Sequence, residues 1–414
     1  MNKEKQESEK EFRNINNTKA FHPCTSCQIC SAVCPKDAIT IELDKEGFYR
    51  PIVNEELCIG CGICVKTCYK FDDHVKKSTT QSLNDKPLYA AWVKDEHLLR
   101  QTTSGGIGDL LARQLIDDGY KVVGVIYDKE KIRAEHHIAL NKEETIPFRG
   151  SKYIQSYTEE ALKKVISNSK NEKFAVFGTP CQIYALYQYA ALHKIKDNFV
   201  FIDLFCHGCP PLTAWKKYHN KIKHQNKVER FDHVAFRSKV RGWGTFNVVF
   251  EKEGNIYFTN KSSDDEFYEL FFCDQILNTG CNTCLLRGTL EYTDIRLGDF
   301  WGKKFLWNRK GVSAVSLATA KGEFLFRKIE KEIECEKCGY EDCLPYQSWD
   351  LVYEPKAELR EKLLSCLSDE KKDIKDAVKI LHIHQSKKSK LKRYVKNVLR
   401  HLPFGVTATI KRII

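Results

Sequence analysis

The chain of 414 residues contains no uninterrupted apolar run near the ~18 residues that a membrane-spanning helix requires. Its opening, "MNKEKQESEKEFRNINNTKA", has no apolar core like that of a secretory signal. Polar and mixed in charge, residues 1–20 are expected to form a disordered leader. Acidic residues are missing altogether from Ser386 to Ile414, where nine Lys and Arg side chains carry most of the formal charge of +12. There is no internal repeat apart from one short cysteine pattern. These absences point away from an integral membrane protein and from a secreted, disulfide-stapled domain. What is present is 42% hydrophobic and 11% aromatic residues, enough for a soluble protein with a real core in two or three domains.

Cysteine is abundant, with 18 in all. Without a secretory signal that number points to a reducing, cytoplasmic compartment and to metal ligation. "CTSCQICSAVCP" (24–35) and "CIGCGICVKTCY" (58–69) share the same gaps of two, two and three. A cubane iron–sulfur cluster needs four converging thiolates, and C-x2-C-x2-C coils the backbone tightly enough to supply three. In two-cluster ferredoxins the fourth comes from the other run. The expected ligand sets are therefore Cys24, Cys27, Cys30 and Cys68 for one 4Fe–4S cluster, and Cys58, Cys61, Cys64 and Cys34 for the other. A zinc site usually needs two cysteine pairs, with no third cysteine in each run. Pro35 closes the first run, whereas Tyr69 stands where a second proline is usual.

Residues 21–75 are read as a compact ferredoxin-type unit whose "AITIELDKEGFYRPIV" forms a hairpin turning at Lys45-Glu46-Gly47. A polar, flexible linker over 76–87 follows. From Leu88 the texture alternates: "LYAAWV", "KVVGVIYD", "KFAVFG" and "FVFIDLF" read as strands, and "IGDLLARQLIDDG" and "QIYALYQYAALHK" as helices. The fold class is thus α/β (α+β), a mixed-sheet domain over 88–350 with some parallel pairing. A helical, increasingly basic extension over 351–414 completes the chain.

Two strand-to-helix junctions draw attention within the larger domain. "TTSGG" puts Ser104, Gly105 and Gly106 before a helix, where backbone N–H groups and the helix dipole suit a phosphate. "FGTPCQ" repeats the arrangement with Thr179 and Cys181, and ligands in α/β folds collect beyond the carboxyl ends of strands. Cys206 ends another strand and "CNTC" adds Cys281 and Cys284. These four cysteines are either a third cluster or buried structural thiols, which are common in cores. Cys335, Cys338 and Cys343, with Cys366 further on, are either a zinc or fourth-cluster site or incidental; the incidental reading is preferred, since acidic neighbours disfavour thiolates there and no clear fourth ligand lies close by.

Taken in order, "TTSGG", "RGSKYIQS", "GTPCQI", "DLFCHGCPP", "FRSKVRGWG", "CNTC" and "DIRLGDFWG" make residues 88–305 resemble the coenzyme F420 hydrogenase/dehydrogenase beta-subunit family, here fused to an N-terminal dicluster ferredoxin. The resemblance implies non-covalent FAD held near Ser104, Gly105, Gly106, Ser151, Lys152, Tyr153 and Thr179. It also implies a third 4Fe–4S cluster on Cys181, Cys206, Cys281 and Cys284, with Lys152 as a cation near a pyrophosphate or an anionic flavin. Arg237, Lys239, Trp243, Asp299 and Trp301 lie in matching motifs without an assigned role. Substrate does not transfer with the fold.

The reading is an iron–sulfur flavoprotein oxidoreductase that passes electrons between clusters and FAD, with hydride transfer to or from an F420-like or other organic substrate. The alternative is a non-catalytic relay or docking subunit of a larger redox complex. Either way an electron-donating or accepting protein is the expected partner. The basic tail lacks the aromatic interleaving of a nucleic-acid surface. Leu391, Val395, Val398, Leu399 and Leu402 instead recur at helical spacing among its lysines, which suits a helix lying on an anionic membrane face.

Overall fold

Two short cysteine loops cannot build a core of their own, and the front of this chain shares that of the larger domain. The computed structural model describes residues 13–258, 265–385 and 395. Most of the expected leader and, Val395 apart, the basic segment from 386 lie outside them. At the front, α1 (Ile29–Ala32) and α2 (Ile63–Lys66) each follow a cysteine loop, and β1 (Ile39–Leu43) pairs antiparallel with β2 (Tyr49–Val53) between them. Phe48 and Tyr49 of this hairpin are buried among Leu212, Trp215 and Phe271 of the large domain.

The large domain is built on a nine-stranded sheet with strand order β14-β3-β13-β12-β8-β7-β4-β5-β6. Its strands are β3 (Leu88–Val93), β4 (Lys121–Asp128), β5 (Arg133–Ala139), β6 (Ser156–Tyr157), β7 (Phe174–Phe177), β8 (Phe199–Leu204), β12 (Ile295–Asp299), β13 (Ser313–Leu317) and β14 (Ile333–Cys338). The centre, β12-β8-β7-β4, is parallel; the pairs on either side of it, β12–β13 and β4–β5, are antiparallel. The α/β (α+β) expectation is therefore met as a mixed sheet. A second sheet, β11-β10-β9, comes from β9 (His233–Ser238), β10 (Asn247–Lys252) and β11 (Asn255–Phe258).

Period-two alternation sorts the central side chains onto two faces. Val122, Ala175, Val200 and Ile202 meet α3 (Ile107–Asp117) on one side. Val123, Phe174, Val176, Phe199 and Phe201 meet α4 (Glu159–Asn168) and α5 (Pro180–Leu192) on the other. That second layer also holds Ile29, Cys30 and Cys64 of the front unit. A third cluster joins α6 (Leu212–Gln225) to the terminal helices α8 (Ala357–Ser368) and α9 (Ile374–His384), while α7 (Ala320–Ile329) packs beside α3.

Two boundaries differ from expectation. Ile15 and Asn17 are buried, so the end of the leader packs on the ferredoxin unit. Residues 78–84 are likewise tied down: Ser78 N–H bonds to Gly288 O, and a short helix over Thr80–Asn84 buries Leu83. Polarity alone hid these contacts, because they use backbone groups and single apolar side chains.

Two histidines inside the core set a pH dependence. Burial pushes His136 on β5 and His219 on α6 down to about 4 from the ordinary 6.5. A folded pKa below the unfolded one makes the unfolded chain the better proton acceptor. Stability is thus fully present above about pH 6.5 and is lost as pH falls toward 4, on the order of 3 kcal/mol per histidine. Thermal midpoints measured between pH 7 and 5 should fall less steeply in a His136→Leu/His219→Phe double variant. A slope equal to that of the parent would remove the assignment.

Candidate metal and cofactor site

The front loops coil through left-handed backbone. Ser26 and Gln28 in the first, and Gly60 and Gly62 in the second, have φ between 62° and 71°. This curls each run inward and lets backbone N–H groups face sulfur, as Ser26 N–H does toward Cys24 Sγ at 3.5 Å and Ala38 N–H toward Cys34 Sγ at 3.3 Å. Cys24, Cys27, Cys30 and Cys68 line one cavity of about 300 Å³. Cys64 in turn lies within electrostatic reach of Cys58, Cys61 and Cys34. Three thiols of the first run thus share a cavity with the last thiol of the second. Burial pushes the thiols of Cys27 and Cys64 up to about 11, and those of Cys30 and Cys68 well up. Such thiols ionise only beside a strong cation.

A second group of thiols stands at the carboxyl ends of β7 and β8. Cys181, Cys206, Cys209, Cys281 and Cys284 line one pocket with Thr25, Thr179 and Arg287. Four of these were expected; Cys209 was not. The signal was present, because Cys206-His207-Gly208-Cys209 is itself a C-x2-C pair. Cys209 hydrogen-bonds to Cys281, which with the nearby Arg287 guanidinium draws the Cys281 thiol down from its ordinary value. Arg287 is buried, donates to Cys281 O and to His207 O (3.0 Å), and has no partner for Nε among the described residues. Sequence reading also missed this cation, which carries no motif of its own.

The space between these thiols is narrow, about 20 Å³, so the fit to a metal centre rests on the donor set: soft sulfur atoms around one cation. Among the described residues no set of three or more His, Cys, Asp or Glu side chains is arranged to hold a single metal ion. Cys335 and Cys338 lie on edge strand β14, and Cys343 and Cys366 are buried in other apolar clusters.

The turn before α3 is braced by protein rather than open. Ser104 Oγ donates to Val312 O at 2.7 Å, and Gly105 N–H donates to Ser313 Oγ at 2.9 Å. A Cβ on Gly105 would lie 2.1 Å from Ala91 O, so no other residue fits there. This corrects the simplest phosphate picture: the Gly105 N–H is already used. Gly106, in left-handed backbone (φ 83°), stands at the N-terminus of α3. Ser151 N–H donates to Thr103 Oγ1 at 2.7 Å and so joins "RGSKY" to this turn.

Two ammonium groups flank the turn. Among the described residues Lys152 Nζ meets the carbonyls of Pro147, Phe148 and Arg149 at 3.0–3.1 Å, and Lys239 Nζ meets those of Leu99 (2.6 Å) and Ser104 (2.5 Å). Desolvation lowers both to about 7. A desolvated ammonium is stabilised by a nearby anion, although the three N–H donors of Lys152 already reach carbonyls, so that only its charge is on offer.

The remaining expected residues divide. Thr179 caps α5 in a reciprocal capping box with Gln182, and its Oγ1 lies 3.3 Å from Cys181 Sγ, beside the thiols. Tyr153 OH accepts from Arg237 at 3.2 Å. Arg237 is buried, pairs with Asp299, donates to Trp243 O, and lies over the rings of Phe246 and Trp301. Trp243 stacks on Trp301 at 4.8 Å and donates from Nε1 to Asp299 at 2.7 Å. The motifs left without a role thus form one aromatic, charge-paired group at the carboxyl end of β12.

An α/β domain with sulfur-lined cups at its strand ends and at its front describes an iron–sulfur protein, and comparison agrees. Residues 23–72 match the 4Fe-4S dicluster domain. Residues 171–342 match the family described as the C terminus of the coenzyme F420 hydrogenase/dehydrogenase beta subunit. It is similar to the F-type subunit of the F420H2 dehydrogenase of Methanosarcina mazei (26% identical, covering 75% of this chain and 83% of that one). It is also similar to the beta subunit of the coenzyme F420 hydrogenase of Methanococcus voltae (26% identical, 67% and 92%). Among solved structures, a chain of the F420-reducing NiFe hydrogenase complex from Methanosarcina barkeri matches with a TM-score of 0.45 at 18% identity, covering 75% of this chain and 94% of that one. No helix among the described residues is long and apolar enough to cross a membrane.

Proposed function

We propose that this chain is an iron–sulfur flavoprotein oxidoreductase subunit of a larger redox complex. It would take two 4Fe–4S clusters in the front loops, a third in the cup of Cys181, Cys206, Cys209, Cys281 and Cys284, and FAD beside the Ser104 turn. The observation that carries this reading is adjacency: the cup at the strand ends abuts the loop of Cys24, with Thr25 in its lining. Bound clusters would supply one-electron carriers and FAD the exchange between one and two electrons. The chain's own contribution is positional. Lys152 and Lys239 would hold the anionic end of the dinucleotide, Arg287 would offset thiolate charge, and the apolar layers exclude water from the cups. The names of the relatives favour coenzyme F420 or a similar organic hydride carrier as substrate. The lone-relay alternative predicts no flavin at all. The nine basic residues of 386–414, unopposed by acid, favour a cytoplasmic location with contact to an anionic membrane face.

Anaerobic purification with iron, sulfide and flavin assays tests the reading. About twelve irons and one FAD per chain are expected. About eight irons and no flavin would leave an iron–sulfur relay and end the oxidoreductase proposal.

A further inference from the structure

Tyr69 departs from the pattern of the cysteine runs: a proline closes the first at position 35, and a phenol follows the last cysteine of the second. The side chain is buried, with its ring stacked on His22 at 4.3 Å (interplanar angle 1°) and edge-on to Tyr184 at 5.9 Å. Its hydroxyl accepts from Leu285 N–H at 2.9 Å. Leu285 follows Cys284 and opens the 3-10 turn Leu285–Gly288, whose first N–H has no partner within the turn. One residue therefore joins the backbone beside Cys68, in the front unit, to the backbone beside Cys284, in the large domain.

The opposite side of the same junction is closed by two other contacts. Asn278 Nδ2 donates to Ser26 Oγ at 2.7 Å, and a Cβ on Gly280 would lie 2.6 Å from Cys24 O, so the two backbones meet there. Cys27, Cys68, Cys181 and Cys284 all pack against one apolar cluster, which also takes in Cys34 and Cys64 of the other front set. By contrast Cys61, of the other front set, is exposed.

We propose that Tyr69 is a positioning residue that locks the Cys68 side of the front unit to the Cys284 side of the large domain through its bond to Leu285, so that the two cysteine cups keep one fixed separation. This rests on the reading above that both cups hold clusters. A proline at position 69 has neither a hydroxyl nor an aromatic ring and leaves that edge untied. The set with Cys24 and Cys68 is then the inner one, and the set with exposed Cys61 is the outer one, facing a protein partner. Electronic communication between metal centres is sensitive to their separation, and supporting residues hold such sites to within about 0.5 Å.

The test uses the full chain, prepared anaerobically, and Tyr69→Phe, which keeps the ring contacts and removes the acceptor. Hydrogen exchange at the Leu285 amide should accelerate about tenfold, the size of one hydrogen bond. Iron content should be unchanged, and the magnetic interaction between reduced clusters should weaken in electron paramagnetic resonance. Tyr184→Phe, which removes a hydroxyl bonded to Asp72, should leave Leu285 exchange as in the parent. Unchanged exchange and unchanged magnetic interaction in Tyr69→Phe would overturn the proposal. If that variant does not fold, the parent decides: a protected Leu285 amide supports the brace and one exchanging like an exposed amide removes it. A parent with only about eight irons would defeat the third cluster while leaving the Leu285 readout intact.

Discussion

Replacing Cys281 and Cys284 together by alanine should lower the iron content by about a third, from about twelve to about eight per chain, and leave the spectrum of the front clusters in place. The double change is needed because five thiols share the pocket and Cys209 is in contact with Cys281. A single loss at Cys281 leaves four donors in the lining, enough in number for a cubane. Removing both leaves Cys181, Cys206 and Cys209. The front sets do not draw on residues 281–284, so their eight irons should persist. Iron and sulfide assays on the anaerobic variant check this, and an unchanged content would show that the strand-end cup holds no cluster.

The second large effect concerns Asp203 and Arg296, on neighbouring strands β8 and β12. The pair is bidentate, with Arg296 Nε and NH2 donating to Asp203 at 2.8 and 2.5 Å, and both side chains are buried. Arg296 also donates to the carbonyls of Arg287 (3.0 Å) and Leu286 (3.2 Å), in the turn that follows Cys284. Asp203→Ala would strand a buried guanidinium and should cost about 3–5 kcal/mol of unfolding free energy. Asp203→Leu combined with Arg296→Met should recover most of that loss, because no charge is then left unpaired. Denaturant unfolding of the three proteins measures it. A loss below about 1 kcal/mol in Asp203→Ala would mean that water reaches the guanidinium.

Local chemistry was the legible part of this sequence. The hairpin between the cysteine loops and the strands from Leu88, Lys121, Phe174 and Phe199 follow from periodicity or apolar runs. Harder to read were β5, "RAEHHIA", and β14, "IECEKC", whose charged residues mask strand character because each lies toward an edge of the sheet. Sheet order was not legible either: β14 joins β3 across more than two hundred residues of chain. At the candidate site, residues carrying a motif were found and those acting through position alone were not. Arg287 belongs to the second kind. Tyr69 was visible only as a missing proline, and its bond to Leu285 needed the fold. The Ser104 turn shows the converse: its glycines looked like an open cradle, yet Gly105 is spent on packing against β3 and β13.

The hairpin that buries Phe48 and Tyr49 in the body of the protein has a consequence for durability. A front unit that lends aromatic rings to its neighbour's interior is not a detachable cartridge. A change that unfolds the hairpin would open the apolar cluster that Phe48 and Tyr49 share with Trp215 and Phe271. Failure of the front hairpin is thereby coupled to opening of the larger domain's core.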